Sequence, residues 1–122
     1  MATAAITDPG SYNLPTLIAM FAHTTQRVPY KTSIVAHRAD RTTDGVQTIT
    51  YATLSDKVSQ AAAALRGMGV ARGDIVSIQL PNWWEIAVVA QACGRVGAAV
   101  NPLMSIFRER ELRYMLSYSE SR

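Results

Sequence analysis

The amino-acid sequence predicts an α/β fold: a β-hairpin, then a βαβ layer with packed helices, in a sheet that is left incomplete. Two observations carry this. Residues of high strand propensity dominate "TSIVAHR" and "VQTITY", and from Thr50 onward helical stripes alternate with short apolar runs. Composition agrees: 48% of the 122 residues are apolar and 17% charged, the profile of a chain that folds as about one domain or part of one.

The first helix is read from "PTLIAMFAHTTQRVP", where Leu17, Met20, Phe21 and Thr24 share one face and Pro29 marks the far boundary. The hairpin follows. Its first strand is "TSIVAHR", its loop the polar stretch "ADRTTDG", and its second strand carries Val46, Thr48, Ile49 and Tyr51.

From Thr50 the period changes. Leu54, Val58, Ala61, Ala62, Leu65 and Met68 form one helical stripe, with Asp56, Lys57, Gln60 and Arg66 away from it. Thr50 suits the N-cap, since its hydroxyl can accept from an unpaired first-turn amide. The helix is expected to end at Gly69.

"GMGVARGD" then raises a choice between a phosphate cradle and a turn. A dinucleotide fingerprint needs G-x-G-x-x-G after a strand and at the start of a helix, so that helix amides face the phosphates. Here Gly67, Gly69 and Gly73 are spaced G-x-G-x-x-x-G, and the order is helix to strand. The stretch is therefore a turn, with Gly69 in the left-handed cap conformation and Val70 folding back as its apolar contact.

Ile75, Val76, Ile78 and Leu80 make a short strand of the kind buried on both faces of a parallel sheet. In "PNWWEIAVVAQACGRVG", Asn82 and Glu85 are spaced as a capping box, and Ile86, Val89, Ala90 and Cys93 mark the buried side of the helix. It breaks at Gly97, and "AAVNP" is a strand stopped by Pro102. This is one βαβ unit, expected right-handed with parallel strands. Crevices in such sheets open at the carboxyl ends of the strands, where "PNWWE" and "NPLMS" emerge. Trp83 and Trp84 either line a pocket there or pack against the next layer, and packing is the more common role. The last helix, in "FRERELRYMLSYSESR", is expected to turn Leu112, Met115 and Leu116 inward.

Twelve Lys and Arg against nine Asp and Glu give a net charge of +3, without a basic run. Arg108, Arg110 and Arg113 are interleaved with Glu109 and Glu111, the pattern of a solvated helix face rather than a nucleic-acid patch. Cys93 is a single cysteine in an apolar stretch, so it reads as a buried, inert thiol. His23 and His37 have no second ligand at metal-binding spacing. The N-terminus lacks the basic region and apolar core of a secretory signal. Ile86 to Val100 is interrupted by Gln91 and Arg95 and is too short for a membrane span, so a cytoplasmic, reducing location is expected.

Taken together, residues Ile49 to Leu116 resemble the N-terminal region of the adenylate-forming superfamily of acyl-CoA synthetases, luciferases and peptide-synthetase adenylation domains. The resemblance rests on Thr50-Tyr51 at a helix start, "GV..GD" at Gly69 to Asp74, "LPN..E" at Leu80 to Glu85 and "GA..NP" at Gly97 to Pro102. Their joint order carries it, since each piece alone is short. Thr53 departs from the pattern, because many relatives have an acidic residue there.

The resemblance implies an AMP-binding domain of which 16–122 is a partial N-terminal subdomain, after a flexible lead at 1–15. The wording "PNWWE" and "NPLMSIFRERELRYML" is most similar to bacterial acyl-CoA ligases acting on medium-chain or cyclohexanecarboxylate acids. It also implies ATP, Mg2+ and CoA as cofactors of the longer enzyme and a carboxylic acid as its substrate. The family's Ser/Thr-Ser-Gly-Thr-Thr-Gly-x-Pro-Lys phosphate loop, its Tyr/Thr-Glu element, its ribose-binding Asp and its lid Lys have no match here. No catalytic, cofactor-binding or metal-binding residue is therefore carried over. The isolated chain is expected to be inactive and, with strand edges open, to self-associate. Two alternatives stand beside this reading: a non-catalytic binding or regulatory module that pairs with a full-length ligase, and an adenylation domain serving a carrier protein.

Overall fold

The computed structural model describes residues 16–38 and 45–121. The lead at 1–15 and, apart from Gly45, the "ADRTTDG" loop lie outside the described residues. In chain order the elements are α1 (Leu17–Arg27), β1 (Thr32–Arg38), β2 (Gly45–Thr50), α2 (Tyr51–Gly67), β3 (Ile75–Ile78), α3 (Trp84–Val96), β4 (Ala99–Pro102) and α4 (Glu109–Ser119). The α/β expectation holds. β1 and β2 pair antiparallel, β3 and β4 pair parallel across α3, and the two pairs are separate sheets.

The core gathers one face of each sheet against α1, α2 and α3, around Phe21, Ile49, Leu54, Val58, Ala62, Ile78 and Ala92. In α1 the Thr16 hydroxyl accepts from the Ala19 amide at 3.1 Å, a side-chain cap. Its buried face is rotated from the expected one. Phe21 is buried, but Leu17 is 75% exposed and Met20 faces solvent, while Ile18 sits over Gly94 of α3. A Cβ on Gly94 would come within 2.8 Å of Ile18 Cγ1, so the missing side chain on α3 sets how α1 is turned. The periodicity of α1 alone does not contain that information.

α2 follows the sequence reading closely. The Thr53 amide donates to Thr50 Oγ1 at 3.2 Å, and the Thr50 hydroxyl donates to Thr53 Oγ1 at 3.1 Å. Leu54, Val58, Ala62 and Leu65 are buried. The helix ends at Gly67, two residues early, and Met68 is exposed. Gly69 adopts φ +87°, its amide donates to Arg66 O at 2.9 Å, and Val70 N donates to Leu65 O at 3.0 Å. These two bonds form the expected left-handed cap, with Val70 packed against the core.

In the βαβ unit Val76 and Ile78 are buried, whereas Ile75 and Ser77 are half-buried, so β3 is enclosed on one face only. The capping box expected of Asn82 and Glu85 does not form. Trp83 is the N-cap and makes no side-chain cap bond, which leaves Asn82 one residue too early to reach the first-turn amides. α3 buries Val88, Ala92, Cys93 and Val96, with Ile86 and Val89 at the margin and Ala90 half-buried. A helix apolar on nearly every side gives periodicity little to register. Arg95 ties α3 to α2, donating to Ser59 Oγ at 2.6 Å and Ser55 Oγ at 3.1 Å.

α4 departs most from expectation. Leu112 and Met115 are only half-buried, Leu116 is exposed, and no residue of the helix is buried. Polar bonds hold its ends instead. Gln79 Nε2 donates to the carbonyls of Met104 and Phe107, each at 3.0 Å. At the far end Ser77, Asn101, Ser119 and Ser121 form a hydroxyl and amide network, with Asn101 Nδ2 donating to Ser77 Oγ at 2.9 Å.

Candidate functional site: a groove between β1 and the start of α3

After β3 the chain bends sharply at Pro81, where the Trp83 amide donates to Pro81 O at 2.6 Å, and α3 begins one residue later. The bend throws both tryptophans toward the hairpin. They form one wall of a groove of about 370 Å³, with Asn82, Ile86 and Ala87 beside them and residues 34–37 of β1 opposite. Pocket and packing, the two roles open to the pair, meet in Trp84, while Trp83 serves the pocket. Trp84 packs against the core with Lys57 Nζ 5.0 Å from its ring centroid, a cation–π contact. Trp83 is 43% exposed and faces the groove.

The groove is of mixed polarity: apolar side chains and the two tryptophans share its lining with the His37 imidazole and the Asn82 amide. Among the described residues no Lys or Arg side chain lines it. That chemistry suits an apolar or aromatic group, or an extended peptide backbone, and is ill matched to a polyphosphate. The part played by β1 has no signature in the sequence, because residues 34–37 meet the tryptophans only through tertiary packing. His37 thus belongs to a groove wall, while His23 is half-buried on α1.

The glycine turn does not fit a nucleotide or Mg2+. Its amides are already spent on protein acceptors: Gly69 on Arg66 O, Val70 on Leu65 O, Asp74 on Ala71 O, and Gly73 on Gly97 O at 3.0 Å. The Ala71 amide donates to Asp74 Oδ2 at 2.8 Å. Among the described residues no group of three His, Cys, Asp or Glu side chains is placed to hold a metal ion. No step of nucleotide or metal chemistry is assigned to these residues.

Cys93 lies at 0% exposure in the last turn of α3. Burial pushes its thiol above the ordinary value, outweighing a backbone hydrogen bond that acts the other way. A neutral buried thiol is a packing residue. Arg108 donates to Ser105 O at 3.0 Å beside the start of α4, and Arg113 pairs with Glu109 at 2.6 Å on a largely exposed helix turn. Such an exposed pair contributes little. No helix among the described residues is long and apolar enough to cross a membrane.

A capped α2 behind a hairpin, the Gly69 turn into a parallel βαβ pair, and a β4 that ends in Asn101-Pro102 define the N-terminal segment of an adenylate-forming enzyme. The chain belongs to the AMP-binding enzyme family, whose model matches residues 21–122. It is 30% identical over 118 residues to the 2-hydroxy-7-methoxy-5-methyl-1-naphthoate–CoA ligase of Streptomyces carzinostaticus, covering 97% of this chain and 20% of that protein. It is 28% identical over 119 residues to the medium-chain fatty-acid–CoA ligase of Escherichia coli K12, covering 98% of this chain and 20% of the ligase. Among solved structures it is similar to NpsA-ThdA, an artificially fused adenylation-PCP di-domain from Klebsiella oxytoca. The TM-score is 0.78 at 27% identity, over 91% of this chain and 20% of that one. The chain thus spans about a fifth of the length of these relatives.

Proposed function

We propose that residues 16–122 are the scaffold part of the N-terminal subdomain of an ATP-dependent carboxylate–CoA ligase. The observation that carries this reading is the match of nearly the whole chain to two proteins named as CoA ligases. In the proposed reaction a substrate carboxylate attacks the α-phosphorus of ATP and releases pyrophosphate. The CoA thiol then attacks the acyl carbon of the adenylate and releases AMP. Activation is required because a carboxylate oxygen is a poor leaving group until it is part of a mixed anhydride. The residues described here supply the platform, and the nucleotide, Mg2+ and CoA sites are proposed to lie in the rest of a longer cytoplasmic enzyme.

A second reading is favoured by the likeness to an adenylation-PCP di-domain. There the acyl group would pass to a carrier protein instead of CoA.

The test is ATP–pyrophosphate exchange with a panel of aromatic and medium-chain acids, run on residues 1–122 and on the product of the full reading frame. Exchange is expected only in the longer protein. Exchange by the 122-residue chain would overturn the scaffold reading, and acyl transfer to a carrier protein without CoA thioester formation would favour the second reading.

A further inference from the structure

We draw no further inference here: the strongest candidate, the groove between β1 and the start of α3 walled by Trp83 and Trp84, is open only among the described residues of a chain that spans about a fifth of its relatives' length, and nothing in the structure shows what covers or fills it.

Discussion

The carbonyl of Gly97 accepts a hydrogen bond of 3.0 Å from the amide of Gly73. Each glycine sits in the left-handed region, at φ +79° and +92°, one closing α3 and the other turning the chain into β3. Their bond clamps the two turns that lead into the parallel strands. The next link, Ala99 N to Asp74 O at 2.8 Å, already belongs to the side-by-side course of β3 and β4. Two turns that look unrelated in sequence are thus one joint, and it sets the register of the βαβ unit.

Glycine replacement should distinguish this joint from an ordinary helix cap. A Cβ on Gly69 meets nothing within 4 Å, so Gly69→Ala is charged only for its left-handed backbone, about 1–2 kcal/mol. A Cβ on Gly97 would also meet Arg72 Cγ at 2.9 Å and Cβ at 3.2 Å. Gly97→Ala is expected to lose about 1 kcal/mol more than Gly69→Ala, read from urea midpoints. Equal losses would mean that Arg72 yields freely.

At Gly94 two effects oppose. Alanine favours the helix by about 1 kcal/mol, while the clash with Ile18 costs about 1–3 kcal/mol. Gly94→Ala should therefore be neutral to destabilising alone and stabilising in an Ile18→Ala background. A double-mutant cycle by chemical denaturation measures the difference, and additivity would refute the contact.

The first turn of α2 has no acidic residue. Thr53→Glu should add a carboxylate near the positive end of the helix dipole and offer a reciprocal cap to Thr50. A gain of about 0.3–1 kcal/mol is expected, fading in high salt. Thr50→Ala should lose about 1 kcal/mol in the same assay, since it removes the acceptor of the Thr53 amide.

Cys93 supplies a pH dependence. Its folded thiol titrates above the unfolded one, so the unfolded chain releases the proton first as pH rises. The stabilising contribution is fully present below about pH 8.5 and is lost as pH climbs through the folded value. Thermal melts from pH 7 to 10 should fall more steeply for the parent chain than for Cys93→Ala. Alkylation of the native thiol at pH 7 should be slow and should track unfolding.

Legibility in the sequence followed the range of the forces involved. Thr50, Gly69, Val70 and Gly97 were readable because caps and left-handed turns are decided within a few residues. The face of α1 is turned from the expected one because Ile18 and Gly94 are set by each other across the core, whereas α3, apolar on nearly every side, buries Cys93 as expected but centres its buried face on Val88, Ala92 and Val96. Asn82 looked like a cap, yet the bend at Pro81 begins the helix one residue later than the spacing suggests. The groove was half visible: Trp83 and Trp84 stood out, but the strand facing them is brought there only by the fold.

The hydroxyl network at Ser77, Asn101, Ser119 and Ser121 has a consequence for how the molecule comes apart. A helix held by groups that water can replace, with none of its residues buried, gains little cooperativity from the core. α4 should release at denaturant concentrations that leave α1, α2 and α3 assembled. It would do so with a shallow dependence on denaturant, because little apolar area is exposed. The boundary between two units of unfolding then runs through the chain just after β4, inside what sequence alone presents as a single continuous segment.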